Sequence, residues 1–316
     1  MPDMPGHITQ LPYKAESSTY STPTYSRGGR MGLPNYIHFV FQNADFRRLT
    51  GLISVVLTSW NGTIRPTWYK ASLKIPSSNL NINKMSDSTP DLKVYRMAIC
   101  LYPQFTVTDF QGPLELLGTF STTNRKLLGG LFKNLPNLSI NPEFVSDTLD
   151  PVAPLVGPSV CPTMTYEDAM KVDFDIIFVP GGFNPPKTAP PSSLEFIKRK
   201  GPEAKYLLLV CTGSWLVAYT GLLTGKRATT NKAVYKTVVE DTKRFNVNWV
   251  PKARWVVEDD NHLWSSSGIT AGIDLAYAFL KYLVGEKFAQ EVRAIAEVNT
   301  TEDPDDDKFA EYYGLV

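Results

Sequence analysis

The chain has 316 residues, a mass of 35.2 kDa, 43% hydrophobic residues and a formal net charge of +1, the profile of an ordinary soluble protein with room for one large or two modest domains. No stretch approaches the roughly 20 apolar residues that span a bilayer, and a near-zero net charge leaves no footprint for nucleic acid or a membrane surface. The cysteines Cys100, Cys161 and Cys211 are too few and too unpatterned for a disulfide framework or a zinc site, so a reducing, cytoplasmic setting and no metal are expected.

Residues 1–92 lack the apolar periodicity of a packed domain and are rich in Ser, Thr, Tyr, Pro and Gly at their start, which reads as a disordered leader. Residues 1–84 carry nine Lys/Arg against three acids, or +6, while the remainder carries −5. The Ser-rich, acid-poor opening has the flavour of a transit peptide. An equally weighted reading takes Met85 as the true start and the upstream residues as a wrongly assigned beginning. A single domain is expected over residues 93–300, followed by an acidic C-terminal tail over 301–316.

Within that domain, Tyr95 to Tyr102 reads as a buried first strand, Pro113 to Phe120 as a helix and Glu143 to Thr148 as a second strand. Asp173 to Val179 predicts a third strand running into Pro180-Gly181-Gly182-Phe183, and Ser192 to Lys200 a helix. Tyr206 to Val210 is a fourth strand, and it leads straight into Cys211-Thr212-Gly213 and an apolar segment at helical spacing. Val234 to Phe245 reads as helical. Asn248 to Trp264, broken by Asp259-Asp260-Asn261, reads as a hairpin. The helices Ala271 to Val284 and Glu286 to Val298 close the domain. Strands alternating with helices at this spacing argue for an α/β fold with a mainly parallel sheet covered on both faces. Ligands bind such sheets at the carboxyl ends of the strands, where Asp109, Gly181-Gly182 and Cys211 emerge.

The strand–Cys–helix junction has the form of a nucleophile elbow with sulfur in place of oxygen. Near the positive end of a helix dipole, the Cys211 thiol is expected to ionise below its free value of about 8.5. A small buried hydrophobe is the competing reading. Asp109 reads either as a carboxyl group at the site or as a helix N-cap. Gly181 and Gly182 serve either to admit backbone N–H groups to a developing negative charge or simply to make a tight turn.

Five pieces in order, Leu101-Tyr-Pro-x5-Asp109-Phe-x-Gly-Pro113, Val179-Pro-Gly-Gly182, Val210-Cys-Thr-Gly213, Arg227-Ala-Thr-Thr-Asn231 and Gly268-Ile-Thr-Ala-Gly-Ile-Asp274, together resemble the ThiJ/PfpI superfamily of class I glutamine-amidotransferase-like proteins. Its isonitrile hydratase branch is the most similar by these motifs. The resemblance implies a flavodoxin-like three-layer sandwich and a homodimer acting on a small-molecule substrate. It makes Cys211 the nucleophile and Asp109 a carboxyl group beside it, protonated by the neighbouring negative charge. Thr212 then orients substrate or water, Gly181, Gly182, Phe183 and Asn231 contribute to oxyanion and substrate binding, and Ile269 packs near the sulfur.

Departures from the superfamily's other patterns narrow the chemistry. Peptidase-like members carry His immediately after the nucleophile, where this chain has Thr212. Glutamine amidotransferases need a downstream His followed two residues later by a carboxylate, yet His262 is followed by Leu263 and Trp264. Glyoxalase-like branches place His where Asn231 stands. No Gly-x-Gly-x-x-Gly follows the first strand, so no nucleotide cofactor is implied. The leading expectation is an isonitrile hydratase-type lyase; a glyoxalase- or deglycase-type enzyme on reactive aldehydes and a cysteine redox sensor are the alternatives.

Overall fold

In the computed structural model the described residues are 92–316, together with the backbone of two short strands, β1 (Ile37–Phe41) and β2 (Ile53–Leu57), which pair antiparallel with Phe39 opposite Val55. The rest of residues 1–91, and with it the expectation of a disordered or misassigned leader, lies outside the described residues. The remaining strands are β3 (Lys93–Cys100), β4 (Leu138–Ser146), β5 (Met164–Thr165), β6 (Ile176–Val179), β7 (Tyr206–Val210), β8 (Arg227–Ala228), β9 (Asn248–Trp249), β10 (Trp255–Glu258) and β11 (Leu263–Ser266). The helices are α1 (Val107–Leu117), α2 (Thr122–Leu128), α3 (Tyr166–Ala169), α4 (Pro185–Thr188), α5 (Pro191–Lys200), α6 (Gly213–Ala218), α7 (Tyr235–Asp241), α8 (Ala271–Val284), α9 (Glu286–Ile295) and α10 (Lys308–Tyr312). Among the described residues no helix is long and apolar enough to cross a membrane.

A seven-stranded sheet in the order β10-β11-β7-β6-β3-β4-β5 forms the middle layer. Every neighbouring pair is parallel except β10 with β11, the hairpin turning through Asp259, Asp260 and Asn261, all at positive φ. Covered on both faces, the central strands need no polar side: Ile176–Val179 and Leu207–Val210 are buried throughout, as strands under two helical layers require. The helices α1, α8 and α9 pack together on one face, and α3, α5 and α6 on the other.

The chain leaves β3 for β4 on one side and returns to β6 on the other. Loops after β3, β6, β7 and β11 therefore open at the same edge. Two glycines allow the layers to meet there. A Cβ on Gly213 would collide with the Val179 carbonyl oxygen, so the first turn of α6 lies directly on the end of β6; a Cβ on Gly272 would come within 2.8 Å of Val210 Cγ1, where α8 crosses β7.

The hairpin expected from Asn248 begins only at Trp255, because Asn248–Trp249 pairs parallel with β8, and two further sequence expectations need correction. Helix α1 begins at Val107 behind an N-cap at Thr106, six residues before Pro113, which lies inside the helix. Residues 301–316 are not a free tail: the Arg254 N–H donates to the Pro304 carbonyl, the Thr301 N–H donates to Asp274, and Asp307 and Ala310 are buried. Four of the acidic residues are solvated as their run suggests, but Asp307 is not.

Since Gly213 has no room for a methyl group, Gly213→Ala is expected to destabilise the domain by on the order of 3 kcal/mol through overpacking at the elbow. The measurement is a urea titration, with a lowered midpoint at unchanged slope as the expected result.

Candidate active site

The loop between β7 and α6 is strained by design of its hydrogen bonds. Cys211 has φ 58°, a left-handed conformation rare for a residue with a side chain and of a kind that collects at functional sites. Its N–H donates to the carbonyls of Ser267 (3.0 Å) and Ser266 (3.2 Å) at the end of β11, and its carbonyl accepts from the hydroxyls of Ser214 (2.9 Å) and Thr230 (3.1 Å). With both backbone groups held from outside, the side chain is turned out of the sheet at the point where the strand becomes a helix.

Around the sulfur are Asp109, Asn231 and the N–H groups of Ile269 and Thr212. The Asn231 Nδ2 amide donates to Sγ at 3.3 Å. Its Oδ1 accepts from the Ala233 N–H at 2.9 Å, which fixes the orientation of the amide and so directs its N–H₂ at the sulfur. A Cβ on Gly268 would lie 2.5 Å from that Nδ2, so the glycine makes the space the amide occupies. Ile269 is at φ 44° with its side chain outward. Its backbone, rather than the packing contact expected from the sequence, serves the sulfur.

Asp109 is completely buried in the first turn of α1 and caps nothing. Its Oδ2 accepts from the Gly181 N–H at 2.8 Å, while Oδ1 has no hydrogen-bond partner of standard geometry and the carboxyl group interacts with the Cys211 thiol. The N–H of Gly182 donates to Thr212 Oγ1 at 2.9 Å, and that hydroxyl donates back to the Gly182 carbonyl at 2.8 Å. A Cβ on Gly181 would meet Asp109 Oδ2, Thr212 N and Thr212 Oγ1, each at 2.7 Å.

Both glycine N–H groups are thus committed to side chains and are not free to receive an oxyanion. Thr212 locks the glycine turn instead of reaching outward. Phe183 stands on the surface, 62% exposed. Tyr102, within the Leu-Tyr-Pro piece but unassigned from sequence, reinforces the same turn with a hydrogen bond from its hydroxyl to the Pro180 carbonyl at 2.6 Å.

Burial pushes the Cys211 thiol up to about 12, with the negative charge of Asp109 adding to the shift; the hydrogen bonds from Asn231, Ile269 and Thr212 pull the other way. The expected acidification by the helix end does not prevail, because α6 is only six residues long and desolvation of a thiolate outweighs it. Burial also pushes the Asp109 carboxyl up to about 7, against the lowering effects of the Gly181 N–H and the Cys211 thiol. Across the interval between those values the two groups hold a single proton. The arrangement can therefore move that proton from sulfur to carboxyl or onto a third atom without drawing on solvent.

The other two cysteines differ. Cys100 is buried and its thiol is pushed far upward, whereas Cys161 is exposed and not shielded. His262, the only histidine within residues 92–316, sits at the start of β11 next to Lys205, at the opposite edge of the sheet from Cys211. Among the described residues no group of three His, Cys, Asp or Glu side chains is placed to hold a metal ion. Asn231 and Ile269 also line a cavity of about 300 Å³. Lys232, which sequence reasoning passed over, lies beside it fully buried; desolvation brings its ammonium down to about 8, and Asp307 opposes the shift.

A family model described as the DJ-1/PfpI family matches residues 116–282, a stretch that contains Cys211, Asn231 and Ile269 but begins after Asp109. An isonitrile hydratase of Pseudomonas putida is 33% identical over 199 residues, covering 63% of this chain and 76% of that protein. Among solved structures, a THiJ/PfpI family protein from Pseudomonas syringae aligns with a TM-score of 0.52 at 23% identity over 72% of this chain and 84% of that one. The DJ-1beta of Drosophila melanogaster aligns with a TM-score of 0.51 at 16% identity over 65% and 99%. At these identities the two structures bear on the fold alone, a mixed α/β sandwich with a mostly parallel sheet.

The raised Asp109 value carries a stability consequence. An unfolded chain releases this proton near 3.8 and the folded chain near 7, so stability falls as pH rises between those values and stays lower above them, by on the order of 4 kcal/mol. Asp109→Asn keeps the acceptor for Gly181 without the charge. It is expected to raise the melting temperature clearly at pH 8 and hardly at pH 4, measured on the same preparation by scanning calorimetry.

Proposed function

The chain belongs to the DJ-1/PfpI family, and from that footing we propose that it adds water to isonitriles and releases N-substituted formamides. The observation that carries the reading is the fully buried Asp109 carboxyl facing the Cys211 thiol, with a neutral amide on the sulfur where an imidazole would be needed for other chemistry. The likeness to an isonitrile hydratase supports it.

The terminal carbon of an isonitrile accepts a nucleophile and a proton. Cys211 sulfur bonds to that carbon while the proton shared with Asp109 is delivered to the same carbon, leaving a thioimidate, S–CH=N–R, and a carboxylate. Asp109 then takes a proton from water as the hydroxide adds to the carbon, and that proton goes to nitrogen. The remaining hydroxyl proton leaves as the carbon–sulfur bond breaks, restoring the protonated pair and freeing R–NH–CHO. Water supplies the oxygen and the N–H, the enzyme's proton becomes the formyl hydrogen, and no other reactant is consumed. Asn231 and the Ile269 N–H steady the sulfur as its charge changes.

Two alternatives fit less well. Turning a ketoaldehyde into a hydroxy acid requires a proton to travel between adjacent carbons while another group manages the thiol, and Asn231 cannot be that second carrier. Redox sensing is favoured by a thiol shifted towards its thiolate, whereas burial shifts Cys211 the other way.

The test is formamide release from an alkyl or aryl isonitrile by the full chain. Cys211→Ser is expected to abolish it, and Asp109→Asn to lower it by roughly 100-fold or more. In the wild type kcat/KM should fall about tenfold per unit as pH drops below about 7, where Asp109 gains its own proton, and Asp109→Asn should remove that limb. Ready lactate formation from methylglyoxal with isonitriles untouched would sink the assignment.

A further inference from the structure

The cavity next to the sulfur is closed on one side by chain that sequence reading placed outside the domain. Its lining includes Asn231, Ala233, Gly268, Ile269, Phe309 and Tyr313. Asn231 donates a hydrogen bond to Cys211 Sγ and the Ile269 N–H faces it, so a group bonded to the sulfur has this cavity as its neighbour. Phe309 and Tyr313 come from α10 and its C-terminal end, beyond the stretch that matches the family model. Both rings, like the Ile269 side chain, leave much of their apolar surface uncovered: Phe309 is 55% exposed, and Tyr313 and Ile269 41% each. Tyr312 stacks edge-on against Tyr313 with ring centroids 5.0 Å apart.

The wall is fastened where a surface tail would not be. Asp307 caps α10, its Oδ1 accepting from the Phe309 N–H at 3.0 Å. Its Oδ2 has no hydrogen-bond partner and lies 3.8 Å from Lys232 Nζ, with both side chains almost wholly buried. Lys232 in turn donates to Thr229 Oγ1 at 2.6 Å and to the Ala253 carbonyl at 2.7 Å, and it directly follows the Asn231 that holds the sulfur. A buried ammonium and carboxylate each strand the other if one is removed. The pair therefore links the position of the two rings to the loop carrying Asn231.

We propose that Phe309 and Tyr313 are the specificity-determining residues of this site, receiving the apolar, single-ring N-substituent of the substrate, and that the buried Lys232–Asp307 pair is the positioning device that holds them over the cavity. The substrate class rests on the hydratase reading; the wall itself does not. A cavity of about 300 Å³ is at the small end of ligand pockets, which span roughly 300–1,000 Å³; Asn231, Lys232, Ser267 and Thr270 line it too, but the uncovered apolar surface of Ile269, Phe309 and Tyr313 fits an apolar group without charge.

The experiment reads the cavity without turnover. In the full chain carrying Cys161→Ser, which removes the exposed thiol, alkylation of Cys211 by N-benzyl iodoacetamide and by iodoacetamide is followed by intact mass. The benzyl reagent is expected to react about tenfold faster, and Phe309→Ala and Tyr313→Ala each to lower that ratio about fivefold. Asp307→Asn retains the cap but not the ion pair, and should lower the ratio by a smaller factor. The half-exposed rings can be removed without emptying the core, and melting curves verify that each variant is folded. A ratio near one in the parent chain, or a ratio unmoved by both ring substitutions, overturns the proposal. A protein that is inert to isonitriles yet keeps the ratio and its loss on substitution supports the wall and refutes only the hydratase reading.

Discussion

Asp109 is fully buried, its one firm hydrogen bond comes from the Gly181 N–H, and the group it faces is a thiol. A carboxylate in such a place loses its hydration without the attraction of a cation, and the surroundings are shaped by that cost. Gly181 must lack a side chain because Asp109 and Thr212 occupy the space a Cβ needs. Thr212 must bond Gly182 at both backbone groups so that the turn does not relax away from the carboxyl group. Tyr102 holds the preceding carbonyl. The same burial raises the carboxyl group towards neutrality, beside a thiol that burial keeps protonated.

The fold was largely legible because its signals are those of a parallel sheet covered on both sides. Tyr206–Val210 and Ala271–Val284 fall where the apolar pattern puts them, since a strand buried on both faces is an uninterrupted apolar run and α8 has a wide apolar face. The start of α1 was not legible. Proline usually opens a helix, which drew the expected boundary to Pro113, but Pro113 sits in the middle of α1 and merely forfeits the hydrogen bond to the Asp109 carbonyl. This displacement also created the apparent choice between capping and site roles for Asp109. With the helix beginning at Val107, the side chain points inward and the choice disappears.

Which residues meet at the candidate site was legible, and how they are wired was not. Cys211 and Asn231 from loops and Asp109 from the first turn of α1 meet where the motifs mark the chain, yet the glycine N–H groups turned out to serve side chains, because a tight turn and an oxyanion cradle have the same sequence. Lys232 and Asp307 gave no signal at all. A lone lysine in a loop and the last acid of an acidic run both read as solvated charges, and only their meeting across the folded chain allows both to be buried.

The neutral side chain at position 231 completes the logic of the pair. An imidazole on the sulfur would bring a third titrating group into a space where two groups already share one proton, and its charged form would favour a standing thiolate. The amide cannot titrate. It offers a donor to sulfur at 3.3 Å whose direction is fixed by the Ala233 N–H on its other end and whose room is guaranteed by Gly268. Burial, more than any neighbour, raises the Cys211 thiol and favours its protonated form. On the hydratase reading proposed above, such a site suits a substrate whose own carbon is the proton acceptor, and the walls of the cavity rather than the sulfur select it.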